Sequence, residues 1–360
     1  MSLLSLKNIS KRYGTTAAVA ELSLEVERGE FFGLLGPSGC GKTTTLRMIA
    51  GLETPDSGSI EFDGRDLTRL SPERRGFGMV FQNYALFPHL NVFENVAFGL
   101  RARRRPQSEV TERVKDALAL VSLPGYEKRR VEELSGGQQQ RIAIARAIAI
   151  EPALLLFDEP LSNLDVALRE ETRGELRELV QRLGLTAVYV THDQEEAFAL
   201  CHRIAVMDAG RITQTGAPRE IYERPAHLSV ASFLGRNNFI RAMRLSAMQE
   251  RPARFKTLDG GQTLIVNTGD QDFGPLNKPC LLTIRPEHLV LYRETPPATD
   301  NVLRARIGEV SFAGATTTVK LDAGGLALQA LLLRSDNLNT GDDCAVVLPP
   351  DRITVLGVSD

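Results

Sequence analysis

Short apolar runs alternate with helical patterns over the first two-thirds of this 360-residue chain. The runs cover residues 31–35, 153–157 and 187–190, and polar residues follow each of them. Continuous apolar strands that alternate with helices are typical of a mostly parallel sheet covered on both faces. Ligands bind such sheets at the carboxyl ends of the strands. We therefore predict an α/β domain over residues 1–235, with its chemistry at one edge of the sheet.

The pattern changes twice along the chain. Residues 88–150 lack convincing strands and show helical patterns such as 108–121, which predicts a helical subdomain inserted into the α/β domain. From residue 236 to 360 short β-rich runs are separated by Gly, Pro, Asn and Asp, which indicates a small barrel or sandwich. These runs cover residues 262–266, 280–284, 316–321, 326–333 and 345–348.

Composition narrows the function classes. The net charge of −2 gives no bulk reason to expect a nucleic acid partner. The four cysteines are scattered, which argues against a disulfide framework or a zinc site and favours a reducing compartment. No apolar run approaches the ~18–20 residues that span a bilayer. The start of the chain does not read as a signal peptide, and the basic run 101–105 favours a solvated turn over a lipid or nucleic acid patch.

Residues 36–43 fit the phosphate-binding loop pattern G-x-x-x-x-G-K-[ST]. They also follow a predicted strand and open a predicted helix, which is the context that this motif needs. Backbone N–H groups of such a loop converge on phosphate oxygens, and the helix N-terminus adds a favourable dipole. We predict that Lys42 contacts the β- and γ-phosphates and that the Thr43 hydroxyl binds Mg²⁺. A chance glycine-rich turn is the weaker alternative. The predicted nucleotide-binding residues of this loop are Gly36, Pro37, Ser38, Gly39, Cys40, Gly41, Lys42, Thr43 and Thr44. Cys40 is interpreted as a small tolerated residue, with a regulatory thiol as the alternative.

The apolar run Leu154 to Phe157 ends in two carboxylates, Asp158 and Glu159. Asp158 is placed to hold Mg²⁺, and Glu159 is placed to polarise the attacking water. Many strands end in acidic residues, so the two carboxylates alone predict little. They indicate a nucleotide site here because a phosphate-binding loop precedes them in the chain.

A second anion-binding signal lies at residues 134–138, where Ser135, Gly136, Gly137 and Gln138 precede a helix. A second phosphate site in one domain is redundant unless it serves another nucleotide. We therefore predict a head-to-tail homodimer in which Ser135 and Gly137 contact the γ-phosphate bound to the other subunit. A plain helix cap is the alternative for this segment.

In this order the motifs resemble those of the ATP-binding cassette (ABC) ATPases, whose cofactors are ATP and Mg²⁺. The resemblance implies that Tyr13 stacks on adenine, although an ordinary strand tyrosine is the alternative. It implies that Gln82 senses Mg²⁺ and the attacking water. It also implies that Asp165 lies in a loop that crosses the dimer interface and that His192 contacts the γ-phosphate.

The tail extends the resemblance. Residues 216–222, 233–238 and 284–287 are similar to segments of bacterial importer ATPases of the maltose, polyamine, ferric-iron and sulfate systems. Those proteins carry a C-terminal oligonucleotide/oligosaccharide-binding-like (OB-like, TOBE-type) domain. We expect it to stabilise the dimer, with regulatory ligand binding or contact with a regulator as alternatives.

The resemblance implies an ATPase subunit that powers solute import from the cytoplasmic face of the bacterial inner membrane. Its partners would be permease subunits, docked at the apolar segment 84–90, and through them an extracytoplasmic solute-binding protein. Polyamine or ferric iron is favoured over sugar as substrate, on overall resemblance. The alternatives are a soluble ABC protein that acts on nucleic acid or ribosomes, and a non-hydrolysing sensor, against which Glu159 and His192 argue.

Overall fold

The computed structural model describes residues 2–246, 252–267, 276–294, 296–333 and 338–356. The chain forms two compact units, Met1–Arg219 and Glu220–Asp360. No helix among the described residues is both long enough and apolar enough to cross a membrane.

A six-stranded, mostly parallel sheet forms the centre of the first unit. Its strand order is β10-β9-β3-β8-β7-β6, and only β10 is antiparallel to its neighbour. The strands are β3 (Phe31–Leu35), β6 (Gly78–Val80), β7 (Leu155–Asp158), β8 (Ala187–Thr191), β9 (Arg203–Asp208) and β10 (Arg211–Gly216). Every residue of β3, β7 and β8 is buried, which explains why these three strands are continuous apolar runs in the sequence.

A second sheet of four antiparallel strands packs on the same core. Its order is β2-β1-β4-β5, from β1 (Ser2–Tyr13), β2 (Thr16–Glu27), β4 (Ser57–Phe62) and β5 (Arg65–Asp66). Leu4, Leu6 and Leu22 of this sheet share one hydrophobic cluster with Phe32 and Leu34 of β3. The sequence patterns did not predict this sheet.

Helices cover the sheets and form the inserted subdomain. Those of the first unit are α1 (Lys42–Ala50), α2 (Pro72–Arg75), α3 (Val92–Ala102), α4 (Gln107–Leu120), α5 (Gly136–Ile148), α6 (Val166–Arg182) and α7 (Gln194–Leu200). Between residues 88 and 150 the described structure is helical, as predicted. Capping boxes start α3, through Asn91 and Glu94, and α5, through Ser135 and Gln138.

The second unit is dominated by two five-stranded antiparallel sheets with the orders β13-β12-β11-β14-β20 and β15-β19-β16-β17-β18. Their inner faces share one hydrophobic core, which includes Phe255, Leu282 and Val319. The strands are β11 (Asn238–Arg244), β12 (Ala253–Thr257), β13 (Thr263–Val266), β14 (Pro279–Ile284), β15 (Val290–Tyr292), β16 (Val302–Ala313), β17 (Thr316–Asp322), β18 (Ala327–Leu332), β19 (Asp343–Val347) and β20 (Thr354–Leu356). This architecture is the predicted small OB-like domain.

Two short helices, α8 (Pro218–Glu223) and α9 (Leu228–Phe233), precede the strands of the second unit. The Arg285 guanidinium donates hydrogen bonds to the carbonyl oxygens of Tyr222, Leu234 and Arg236. Tyr222 in turn donates to Glu287 over 2.6 Å. These long-range bonds bring together the three tail segments noted in the sequence. They also explain why the second compact unit starts at Glu220, before the boundary at residue 235 that the sequence pattern predicts.

Candidate active site

The phosphate-binding loop connects β3 to α1 and depends on glycine at two positions. A Cβ at Gly36 would lie 2.3 Å from the Met207 carbonyl oxygen. Gly41 caps α1 with φ 102°, and a Cβ there would lie 2.3 Å from the Ala18 carbonyl oxygen. Gly39 also has positive φ. The loop backbone can therefore fold tightly only with these glycines, and the first N–H groups of α1 remain for an anion.

Lys42 is 4% exposed, and its ammonium group lies inside the loop. The Nζ atom donates to the carbonyl oxygens of Gly36 at 2.8 Å and Pro37 at 2.9 Å. It also lies 3.9 Å from the Cys40 sulfur. Burial raises the pKa of the Cys40 thiol, and the neighbouring Lys42 charge offsets part of that rise. This thiol is therefore buried and predominantly protonated near neutral pH, unlike the exposed low-pKa thiols of redox sensors.

Thr43 and Asp158 meet where α1 approaches the end of β7. The Thr43 hydroxyl donates to Asp158 Oδ1 over 2.9 Å. Asp158 is 6% exposed, and burial raises its pKa, while the hydrogen bond from Thr43 acts in the opposite direction. A buried carboxylate beside a hydroxyl is a hard oxygen pair of the kind that Mg²⁺ selects.

The Glu159 carboxylate contacts two other predicted catalytic residues, His192 and Gln82. The His192 Nδ1 atom lies 3.0 Å from Glu159 Oε2, and Gln82 Nε2 lies 3.5 Å from the same oxygen. His192 follows β8, Gln82 follows β6, and Glu159 follows β7, which lies between those strands. Parallel strands end at the same edge, so the sheet topology alone brings the three side chains together.

The loop after Glu159 connects this cluster to Gln82. Ser162 donates to the Glu159 carbonyl oxygen over 2.9 Å, and Asn163 Nδ2 donates to the Gln82 carbonyl oxygen over 2.8 Å. Asp165 ends the loop as the N-cap of α6, where its side chain accepts from Leu168 N. Asn163 belongs to the segment 162–165 that resembles the interface loop, but its bond to Gln82 was not predicted, because a bond to a distant carbonyl leaves no local pattern.

Ser135 forms the N-cap of α5. Its hydroxyl accepts from Gln138 N at 3.3 Å, and Gln138 Oε1 accepts from Ser135 N at 3.1 Å. Ser135 and Gly136 are exposed, and a Cβ at buried Gly137 would lie 2.9 Å from the Leu168 side chain. Ser135 therefore caps α5, as in the plain helix cap that the sequence offered as an alternative to an anion site. The exposed helix N-terminus also keeps the geometry of an anion site that faces outward.

The remaining predicted nucleotide contacts lie at the edges of the site. Tyr13 ends β1 and is 48% exposed, with the Lys11 Nζ atom 5.7 Å from its ring centroid. Thr44 lies half-buried in the first turn of α1, and Ser38 is exposed on the loop.

A buried polar network behind His192 was not predicted from the sequence. Glu196 accepts hydrogen bonds from Tyr189 at 2.8 Å and Thr191 at 2.7 Å, and burial raises its pKa. Arg169 donates to the Leu164 carbonyl oxygen at 3.1 Å and lies 3.4 Å from Asp193. This network joins the loop before α6 to the residue that follows His192. The only sequence signal was the pair of acids that start α7.

The segment 84–90 forms an aromatic surface on the helical subdomain. The rings of Phe87 and Phe98 have centroids 4.6 Å apart, and Phe98 is 49% exposed. Buried Asn95 fixes the backbone below them, since it accepts from Phe87 N and donates to the carbonyl oxygens of Phe87 and Leu90. We call residues 86–90 together with Phe98 the aromatic groove.

The residues present fit a nucleotide phosphate and a divalent cation. Lys42 has carbonyl partners and no carboxylate among its described hydrogen bonds, so its charge is available to phosphate oxygens. No cluster of three or more His, Cys, Asp or Glu able to hold a metal occurs among the described residues. Mg²⁺ in phosphate sites needs only one or two protein oxygens beside those of the substrate, and Thr43 and Asp158 supply them.

Comparison with known proteins agrees with this geometry. Residues 19–162 match the ABC transporter family, and residues 282–356 match the TOBE domain. The chain is 46% identical to a sulfate/thiosulfate import ATP-binding protein, CysA 2, of Chromobacterium violaceum, over 92% of this chain and 87% of that protein. It is also 46% identical to a spermidine/putrescine import ATP-binding protein, PotA, of Acidothermus cellulolyticus, over 97% and 90% of the two chains.

A solved structure supports the same assignment. The ATP-binding cassette MJ0796, described as a dimeric post-hydrolysis state bound to ADP and phosphate, superposes with a TM-score of 0.54 at 33% identity. The match covers 60% of this chain and 99% of that one. The chain therefore belongs to the family of ABC transporter ATP-binding proteins, ATP-hydrolysing enzymes coupled to transport, and it carries a C-terminal TOBE domain.

Proposed function

We propose that this chain is the ATP-hydrolysing subunit that powers solute import by a membrane ABC transporter. The observation that carries the proposal is the convergence of His192 and Gln82 on the Glu159 carboxylate, at the same sheet edge as the Thr43–Asp158 pair. A sensor that only binds ATP does not need a carboxylate held by two polar side chains beside the phosphate loop.

Each residue has a role in this chemistry. Lys42 neutralises charge on the β- and γ-phosphate oxygens, and the loop amides hold the remaining phosphate oxygens. Glu159 accepts the proton of the attacking water, while Gln82 and His192 fix the orientation of water and γ-phosphate. Thr43, Asp158 and Gln82 would hold Mg²⁺, which supplies charge neutralisation at the phosphates when bound.

We infer that two copies of the chain complete two sites. The exposed N-terminus of α5, with Ser135 and Gly137, would contact the γ-phosphate bound by the other subunit, and Asp165 would lie at the same interface. Closure on ATP and opening after hydrolysis would then be the mechanical step. A dimeric solved cassette of this fold supports this arrangement. The second unit would stabilise the dimer.

The partners follow from the surface of the helical subdomain. The exposed aromatic groove suits a short amphipathic helix, which a permease would lay across the packed rings of Phe87 and Phe98. The chain would then work as a peripheral protein on the cytoplasmic face of the inner membrane. An extracytoplasmic solute-binding protein would reach it only through the permease.

The substrate is a separate question. Two relatives with the same 46% identity are named for sulfate or thiosulfate, which are anions, and for spermidine or putrescine, which are cations. Identity to this subunit therefore does not separate solutes of opposite charge. We propose a small ionic solute, with polyamine and ferric iron as the first to test. The relatives are import proteins and give no support to a soluble ABC protein that acts on nucleic acid or ribosomes.

The test is reconstitution in liposomes with the polytopic membrane proteins encoded beside this chain. Hydrolysis is measured with the neighbouring solute-binding protein and a panel of spermidine, ferric ion, sulfate and maltose. We expect one solute to stimulate hydrolysis and to accumulate inside the vesicles. Hydrolysis that no permease or solute stimulates, but that RNA or ribosomes accelerate, would refute the import function.

A further inference from the structure

Arg146 lies in the last turn of α5, away from the nucleotide site, and its guanidinium reaches the segment that follows Gln82. Its Nη1 atom donates to the Ala85 carbonyl oxygen over 2.7 Å, and Nη2 donates to the Tyr84 carbonyl oxygen over 2.8 Å. Burial lowers the pKa of Arg146, yet arginine remains charged at any physiological pH. Arg146 is half-buried, and the bonds to the two carbonyl oxygens replace the water that its guanidinium has lost.

The two carbonyls belong to a strained stretch of backbone. Tyr84 has φ 60° and Ala85 has φ 48°, so two consecutive residues other than glycine occupy the left-handed region. Such conformations persist only where the surrounding structure fixes them. The buried Tyr84 hydroxyl makes no hydrogen bond within the described residues, so side-chain bonding of Tyr84 does not fix the turn. Backbone bonds from Tyr84 N to the Phe81 carbonyl oxygen and from Ala85 N to the Asn83 carbonyl oxygen close the turn. The fork of Arg146 is the side-chain contact that joins this turn to α5.

The turn that Arg146 holds leads directly into the aromatic groove. The guanidinium lies 5.7 Å from the Phe87 ring centroid, and Phe87 packs on Phe98. Asn95 fixes the other end of the segment, from α3. Of these two supports, only Arg146 belongs to α5.

Ser135 caps the opposite end of α5, which runs for 13 residues from Gly136 to Ile148. A helix of this length moves as a rigid rod. A displacement imposed at its N-terminus by nucleotide would therefore reach Arg146. Arg146 passes it to the backbone under the groove, because both of its donors are committed to that backbone.

We infer that Arg146 is a positioning residue that couples α5 to the permease-docking groove. The inference rests on the proposed function. In it, Arg146 transmits the movement of α5 to the backbone under the groove and has no role in binding or cleaving ATP. Lysine cannot replace it, since a single ammonium point charge lacks the planar fork that spans two adjacent carbonyls.

The test compares Arg146→Lys with Arg103→Lys in the full chain. Arg103 is a matched control, because it also donates to a backbone carbonyl, that of Ile150, over 3.1 Å, and joins the ends of α3 and α5. Amide hydrogen exchange in peptides that cover residues 81–90 is measured first. We expect faster exchange there for Arg146→Lys only, with the peptide of α3 unchanged in both variants.

Hydrolysis is measured next, with and without the reconstituted permease. We expect Arg146→Lys to keep its basal rate and its KM for ATP and to lose most of the permease-dependent stimulation, while Arg103→Lys keeps it. Arg146→Gln, which leaves no unpaired charge and keeps a donor for only one of the two carbonyls, serves if the lysine variant does not fold. We expect faster exchange at 81–90 and reduced stimulation from that variant as well.

Full stimulation of both variants would overturn the inference, and so would unchanged exchange at 81–90. A lost basal rate in Arg146→Lys would assign the residue to catalysis and also overturn it. If the unaltered chain is not stimulated by the permease, the proposed function fails instead. The exchange comparison then still decides whether Arg146 holds the segment.

Discussion

Glu159 combines a backbone conformation that side chains rarely adopt with a side chain held by two partners. Its φ is 45°, which costs on the order of 1–3 kcal/mol for a residue with a Cβ. His192 and Gln82 contact its carboxylate, and its backbone N–H donates to the Val190 carbonyl oxygen over 3.0 Å. This backbone conformation and these contacts hold the carboxylate at the carboxyl ends of β6, β7 and β8, where we propose that it meets the attacking water.

Glu159 is the proposed general base. Glu159→Gln keeps the shape of the side chain but removes the proton acceptor, so we expect steady-state hydrolysis to fall about 100-fold or more. ATP binding should persist, and a nucleotide-bound dimer should accumulate in size-exclusion chromatography with MgATP.

Glu151→Gln is the control for this substitution. Glu151 also has positive φ, at 48°, but its carboxylate is exposed and pairs with Arg113 over 2.8 Å. The control should hydrolyse ATP at the normal rate. Normal turnover by Glu159→Gln would remove the base assignment.

At the scale of elements, α5 carries two functions that can be separated. Its N-cap stabilises the helix by satisfying the Gln138 N–H, and its exposed first turn is the proposed contact for the other subunit's nucleotide. A cap that matters only for folding and a cap that also binds phosphate predict different outcomes of the same substitution.

Ser135→Ala should destabilise the chain by about 1 kcal/mol through the lost cap and should also impair hydrolysis strongly. Asn91→Ala removes the equivalent capping box of α3, with a similar expected loss of stability and little effect on basal hydrolysis. Thermal melts and ATPase rates of both variants make the comparison. Equal losses of activity would reduce Ser135 to a structural cap.

The comparison of sequence and structure shows which elements local patterns can predict. The buried strands β3, β7 and β8 have continuous apolar runs, and the glycines at 36 and 41 are required by close approach or positive φ, so both could be predicted. The antiparallel sheet of β1, β2, β4 and β5 was not predicted, although residues 22–27 of β2 alternate buried and exposed side chains, as a half-buried strand does. Its strands carry no residues of the phosphate chemistry that drew attention to the others.

Long-range bonds to the backbone explain the other misses. Arg146 and Asn163 act through carbonyl oxygens that belong to other segments, and any residue type can offer a carbonyl. Arg285 is the same case in the second unit, where its bonds to Tyr222 and Leu234 place α8 and α9 with the β-rich unit. The helical character of 218–233 resembles the α/β pattern before it, which is why the predicted boundary falls later.

In the whole protein, two copies of the chain would complete each other's sites. The phosphate loop and Glu159 lie on the α/β core, whereas Ser135 lies at an exposed helix N-terminus, where its hydroxyl and its N–H both bond to Gln138. Symmetric association would pair each loop with the Ser135 of the other copy. Hydrolysis should therefore be possible only in dimers. A copy that lacks Glu159 and a copy that lacks Ser135 should together form one intact site.

Mixing two inactive variants tests this claim most directly. In a mixed dimer of Glu159→Gln and Ser135→Ala, one site lacks both groups, and the other has Glu159 from one copy and Ser135 from its partner. Random mixing at equal concentrations makes half of the dimers mixed, so we predict recovery to about a quarter of the unaltered rate. A rate that equals the average of the separate variants would contradict the shared site and, with it, the account of ATP-driven closure.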